Sequence, residues 1–410
     1  MNKINNFIDE QKNMIVVRGL KTQFFTYAGV VQALNSLNFE IRRGETLAIV
    51  GETGCGKSIT AHSILRLVRH PGKIVAGKVY YKGQYSNDRW INLLELHENE
   101  MRKIRGHYIT MIFQDPMTYL NPVFKIDNQL IESILLHQEL REEAVLAKID
   151  QVKAQMNGNP ENNDGLKKEL NRLDQLLSDP PKPSKEERQE AARWKALNTL
   201  KLVRMPYPEN IMNSYPFELS GGMRQRVMIA MALSLNPDIL IADEATTALD
   251  VTIQAQILTL LEELKERLGT TLVIITHDLG IVAEQADRVL VMYAGNIIEE
   301  GPTSEIFKNP VHPYTKGLLS AIPKLGAEKL PIIPGTVPNL VDPPSGCRFH
   351  PRCPDKLPIC ETEFPKRSKI NENHFVSCHP HGTENYVVIE EIDMQSANEE
   401  IEREVSVETK

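Results

Sequence analysis

Tryptophan and cysteine are scarce in this chain, at two and five residues in 410, and aromatic residues reach only 6%. Five cysteines cannot frame a chain this long with disulfides, so an apolar core must hold the fold. No apolar run approaches the roughly 18 to 20 residues that cross a bilayer. The longest candidates, Thr271–Ile275 and Ile239–Ala242, are short. The opening stretch MNKINNFIDEQKNM lacks the apolar segment of a secretory signal. A dominant charge sign is also missing. Of the net −7, from 47 basic and 54 acidic side chains, the excess resides in residues 381–410, where nine acids face two bases. The balanced remainder argues against nucleic-acid binding by bulk charge. A cytosolic protein that meets a membrane only through partners is expected.

With 41% apolar and 25% charged residues the composition is that of a globular protein, and the length suggests two or three domains. From Met14 to about Gly301, short β-rich runs alternate with helical patterns. TLAIV, DILIAD, TLVIIT and RVLVMY are continuous apolar runs, as in strands buried on both faces of a parallel sheet. Helical patterns follow three of them, at Lys57–Val68, Val251–Leu268 and Leu279–Gln285, which gives an α/β domain. Residues 141–193 hold eleven acids and ten bases. Val145, Ile149, Val152 and Met156 form one narrow apolar stripe there, and Leu166, Leu170, Leu173 and Leu177 form another beyond NGNPENNDG. Two such stripes predict an antiparallel helical hairpin inserted in the domain. After Gly301 prolines cluster and four cysteines appear, so a small loop-rich domain is expected at 302–380, followed by an acidic tail at 381–410.

Gly51-Glu52-Thr53-Gly54-Cys55-Gly56-Lys57-Ser58 fits the phosphate-loop pattern between a buried strand and a helix. Its glycines let backbone N–H groups converge on phosphate oxygens, and the helix N-terminus that runs through Ile59 adds positive potential. Lys57 is expected on the β- and γ-phosphates and Ser58 on Mg²⁺. Cys55 is expected to contribute its backbone only. The strand Ile239–Ala242 ends in Asp243 and Glu244. Asp243 is expected beside the metal, and Glu244 is placed to polarise an attacking water. A second cradle, Ser220-Gly221-Gly222 with Gln225 behind it, opens a strong helix. One nucleotide does not need two, so the second is expected to serve a nucleotide held by another subunit.

Phosphate loop, LSGGMRQR, ILIADE, TALD and ITHD, in this order, resemble the nucleotide-binding subunit of an ABC transporter over about 14–301. The resemblance implies roles for matching positions. Gln114 would be the glutamine between Mg²⁺, attacking water and the membrane subunit. Asp250 would couple the two nucleotide sites, and His277 would hold the γ-phosphate and orient Glu244. Tyr27 would stack on adenine, with Phe24 and Phe25 as alternatives. The segments GPTSEIFKNPVHPYTKGLLSAIPKL and IPGTVPNLVDPPSGCRFHPRCP resemble the oligopeptide/dipeptide importer branch. That branch implies a second, related ATPase, two permeases and an extracytoplasmic binding protein, with this chain at the cytoplasmic face of the membrane. Its solute is usually a peptide, though nickel and other solutes use close relatives. Cys347, Cys353, Cys360 and Cys378 have the donor chemistry of a [4Fe–4S] cluster or of Zn²⁺. The resemblance favours the cluster. His350, His374 and His379 stand nearby as substitute ligands, and Arg348 and Arg352 are expected to offset thiolate charge.

Overall fold

A computed structural model describes residues 12–158, 164–245, 250–322, 333–379 and 387–388. The described residues divide into two compact units: those within 1–109, 238–244 and 262–410 form the first, and those within 110–237 and 245–261 the second.

Two sheets build the first unit. One is antiparallel, with strands in the order Gly29–Arg42, Asn13–Thr26, Gly72–Tyr81, Ile91–Asn92. The other has a parallel centre. Thr46–Val50 pairs in parallel with Thr271–Thr276 on one side and Arg288–Tyr293 on the other, and Ile239–Asp243 pairs in parallel with Thr271–Thr276. All four strands are buried along their whole length, which is why they read as unbroken apolar runs rather than alternating ones. Parallel register brings their C-terminal ends to one edge, with Val50 opposite Thr276 and Asp243 opposite Ile275. The sheet then turns antiparallel through Asn296–Pro302, Phe375–Ser377, Arg367–Lys369 and Val387–Val388. The cysteine-bearing region therefore adds strands to the same sheet instead of packing as a detached layer. Buried charge reinforces the join: Arg288 binds Glu45 and Glu300 at 2.7 and 2.5 Å, and Arg367 reaches Glu300 at 2.7 Å.

Helices dominate the second unit. Arg141–Gly158 and Asp164–Leu176 share an apolar cluster of Val145, Ile149, Val152 and Leu173, against which Met156, Leu166, Leu170 and Leu177 pack. The next helix, Lys185–Leu202, starts at Ser184, whose hydroxyl accepts from the Glu187 N–H while the Glu187 carboxylate accepts from the Ser184 N–H. Polar contacts tie this helix to the first of the pair. Lys195 bonds Glu143 at 2.8 Å, and the Trp194 indole N–H donates to Asp150 at 2.8 Å. Among the described residues, no helix is long and apolar enough to cross a membrane. Of the acidic tail only Val387 and Val388 lie within the described residues.

Candidate functional site

The parallel strands deliver the site. Thr46–Val50 runs into Gly51, the loop follows, and the helix Lys57–Ile64 begins at Gly56, whose φ of 108° suits the tight entry. The helix is shorter than the 57–68 its pattern suggests, because Arg66 takes a left-handed φ of 53° that ends it. Lys57 is buried, and its ammonium donates to the carbonyls of Gly51 at 2.8 Å and Glu52 at 3.2 Å. The lysine thus lies along the loop it is expected to serve. Burial raises the Cys55 thiol above its ordinary value despite Lys57 nearby, so the thiol stays protonated at neutral pH.

Asp243, Glu244 and His277 stand at the neighbouring strand ends. The Ser58 hydroxyl donates to Asp243 Oδ1 at 2.9 Å, which joins two of the side chains expected around Mg²⁺. Glu244 takes a left-handed φ of 45°, and its N–H donates to the Ile275 carbonyl at 2.8 Å. His277 Nδ1 lies 3.3 Å from Glu244 Oε1. A carboxylate with an imidazole beside it, held at the end of a buried strand, can orient a water and accept its proton.

Burial pushes the Asp243 carboxyl up to about 6; the Ser58 hydrogen bond opposes this, while the Glu244 charge adds to it. The sign follows from linkage. The folded value lies above the ordinary 3.8, so this group's stabilising contribution is complete below about 3.8 and is lost as pH rises through about 6. Asp243→Asn is therefore expected to be more stable than the wild type at pH 8 without divalent cation, by about 1–3 kcal/mol, with the gap closing near pH 4. Urea unfolding in EDTA at both pH values measures this. Equal midpoints at pH 8 would show that the ionised carboxylate carries no burial cost.

Tyr27 occupies the turn between the first two strands and is fully exposed. Phe25 is half exposed, with the Lys73 ammonium 5.7 Å from its ring centroid.

In the second unit Ser220 caps the helix Gly221–Leu233, its hydroxyl accepting from the Met223 N–H at 3.4 Å. Gly222 is needed for packing as well as for an exposed amide, since a Cβ there would lie 2.8 Å from Ile253 Cγ2. Gln225 is buried, and its amide nitrogen has no hydrogen-bond partner among the described residues. Asp250 caps the helix Val251–Leu268, with its carboxylate accepting from the Ile253 N–H at 3.0 Å. The other three residues of TALD, 247–249, lie outside the described residues. Gln114 follows the strand Ile109–Ile112 and is exposed.

All five cysteines are free thiols. Burial pushes Cys378 up to about 12, helped by Cys347, Cys353 and Cys360, and Cys347 to about 11, helped by Cys360 and Cys353. The donor chemistry suits a cluster or zinc, but among the described residues no group of three or more His, Cys, Asp or Glu side chains is arranged to hold a metal ion. The histidines are engaged elsewhere. His374 Nε2 lies 2.8 Å from Glu299 Oε1, and His350 and His379 contact the carbonyls of Cys347 and Glu363. The expectation that Arg348 and Arg352 offset thiolate charge is also corrected. Arg348 donates to Ala294 O and Gln32 Oε1, and Arg352 binds Glu52 of the phosphate loop. The contacts with Gln32 and Glu52 span 316 and 300 residues, and no local pattern signals them.

The family model described as "ABC transporter" matches residues 34–247, and that described as "Oligopeptide/dipeptide transporter, C-terminal region" matches 298–360. The probable peptide ABC transporter ATP-binding protein y4tR of Sinorhizobium fredii is 44% identical over 369 residues, 89% of this chain and 94% of that protein. The dipeptide transport ATP-binding protein DppD of Bacillus subtilis is 42% identical over 371 residues, 90% and 94% of the two chains. Among solved structures, the dimeric bacterial ABC transporter cassette MJ0796 superposes with a TM-score of 0.52 at 27% identity, covering 71% of this chain and 99% of that one. The same cassette has been solved as a post-hydrolysis dimer bound to ADP and Pi, at 26% identity and a TM-score of 0.52.

Proposed function

This chain belongs to the ABC transporter ATP-binding family, in its oligopeptide/dipeptide branch, and from that premise we propose how its residues power peptide uptake. It is the ATP-hydrolysing subunit of a peptide importer, and its cassette has the mixed α/β ABC fold. The observation that carries the mechanism is the row of side chains at the ends of three adjacent parallel strands: the loop after Val50, Asp243 with Glu244, and His277.

Those amides of the loop 51–58 that are not bonded within the protein and the Lys57 ammonium bind the ATP phosphates, with Tyr27 stacked on the base. Ser58 and Asp243 would hold Mg²⁺, which neutralises charge developing on the β- and γ-phosphates. Glu244 takes the proton from the attacking water, and His277 donates to the γ-phosphate while keeping Glu244 in place. Ser220 to Gly222, backed by Gln225, bind the γ-phosphate of ATP held by an opposing subunit, and Asp250 lies at that contact. The opposing subunit is a related ATPase, which makes the pair a heterodimer. Gln114 and the exposed Tyr119, Val123 and Phe124 beyond it form the face through which nucleotide state reaches a permease. The chain works at the cytoplasmic face of the membrane, without nucleic acid. The paired helices Arg141–Gly158 and Asp164–Leu176 are an insertion in the cassette, residues 302–380 form the importer-type region, and the four late thiols are the ligand set for a [4Fe–4S] cluster, or alternatively for Zn²⁺. Holding either requires the sulfurs to draw together from the arrangement described above.

Co-expression with the permeases, related ATPase and binding protein of its own importer tests this reading. The purified complex in liposomes should hydrolyse ATP faster when peptide-loaded binding protein is added. ATPase activity that ignores peptide would remove peptide import. Iron, sulfide and zinc measured on the same anaerobically purified sample decide the ligand set; absence of all three would leave the cysteines as plain thiols.

A further inference from the structure

Glu52 poses a problem. It is the second residue of the phosphate loop, and its carboxylate is a fixed negative charge beside the place where a polyanion binds. At this range an uncompensated carboxylate repels phosphate appreciably. Two residues of the C-terminal region act on it. The Arg352 guanidinium forms a bidentate pair with the Glu52 carboxylate, at 2.7 Å to Oε2 and 3.1 Å to Oε1. The Tyr314 hydroxyl accepts the Glu52 N–H at 2.9 Å. Both partners are themselves locked. Arg352 is buried, and its Nε donates to the Pro334 carbonyl at 2.8 Å while Nη1 reaches the Tyr293 hydroxyl at 3.3 Å. The Tyr314 ring packs on Tyr293 and Phe349, with centroids 4.7 and 5.5 Å apart. A forked arginine held on several sides is a preorganised contact, unlike a loose surface ion pair.

We propose that Arg352 and Tyr314 are positioning residues for nucleotide binding: the importer-type C-terminal region clamps residue 52, cancels its charge and fixes the path of the phosphate loop. The proposal rests on the reading of Gly51–Ser58 as the nucleotide loop. It gives the C-terminal region a part in ATP binding that does not depend on any metal at the cysteines. With the clamp in place, the potential facing the phosphates is set by Lys57 and the helix N-terminus. Without it, Glu52 is released as an anion against the triphosphate.

Steady-state ATPase kinetics of the full transport complex test this. Arg352→Ala should raise KM for ATP about tenfold and change kcat less than about threefold, since the lost interaction acts on binding. Glu52→Gln added to Arg352→Ala should bring KM back to within about twofold of wild type, because the offending charge is gone. Arg352→Lys, with a point charge in place of the fork, should fall between. A purely structural arginine would lower the melting temperature and gain nothing from Glu52→Gln. An unchanged KM in Arg352→Ala, or a rise that Glu52→Gln does not relieve, overturns the proposal. Should Arg352→Ala fail to assemble, Tyr314→Phe removes only the hydroxyl that accepts the Glu52 N–H. A KM raised about threefold supports the clamp, and an unchanged KM overturns it. Wild type and Lys57→Ala serve as controls. Turnover in the first and none in the second upholds the nucleotide-loop reading whatever the Arg352 variants do.

Discussion

Glu244→Gln is expected to keep ATP bound while turnover falls by about 10²- to 10⁴-fold, the usual worth of a positioned general base. The amide has nearly the shape of the carboxylate, so the strand end, the left-handed backbone at residue 244 and the N–H bond to Ile275 all survive. What is lost is a proton acceptor 3.3 Å from His277. The same variant should accumulate the nucleotide-sandwiched pair of subunits, because closure needs ATP and reopening needs hydrolysis. Equilibrium ATP binding and single-turnover phosphate release on the assembled complex separate the two effects. Turnover within about threefold of wild type would remove Glu244 from the chemistry and leave it as a strand-end residue.

Gly51→Ala should abolish ATP binding and cost on the order of 3–5 kcal/mol of stability, from backbone strain and overpacking together. Gly51 sits at φ 151°, and a Cβ there would lie 2.2 Å from the Met292 carbonyl oxygen and 2.8 Å from Cys55 Sγ. The first obstacle is the backbone of the adjacent strand Arg288–Tyr293, which cannot step aside as a side-chain tip can. Thermal unfolding and nucleotide binding should therefore fail together. A Gly51→Ala protein that binds ATP normally would show that the loop can move off the sheet at small cost, contrary to the packing described here.

The strand, loop and helix that frame the candidate site were legible because their signals are local. A loop that must bring several amides to one anion needs glycine at fixed spacing, and a strand buried on both faces needs an unbroken apolar run. Both requirements act within about a dozen residues of chain. The helices at Val251–Leu268 and Leu279–Gln285 were readable to the residue for a similar reason: helix-breaking Gly269 follows the first, and Asp250 and Asp278 cap the two starts. The helix after the loop was not, since nothing in Leu65-Arg66 announces a left-handed residue. Nor does HPRCP announce that its arginine faces a glutamate three hundred residues away. Arg352, expected to offset thiolate charge, instead spends its guanidinium fork on Glu52.

The order of motifs along the chain, by itself, determined the ATPase character and the importer branch, since each motif carries its own backbone geometry and flanking pattern. Tertiary structure alone decided which strand ends meet, that the cysteine-bearing region extends the nucleotide-binding sheet, and that Arg352 and Tyr314 hold the phosphate loop. Those outcomes depend on strand register and on ion pairs sheltered from water. Both arise only when distant segments are packed together, so neither leaves a periodic trace in the sequence.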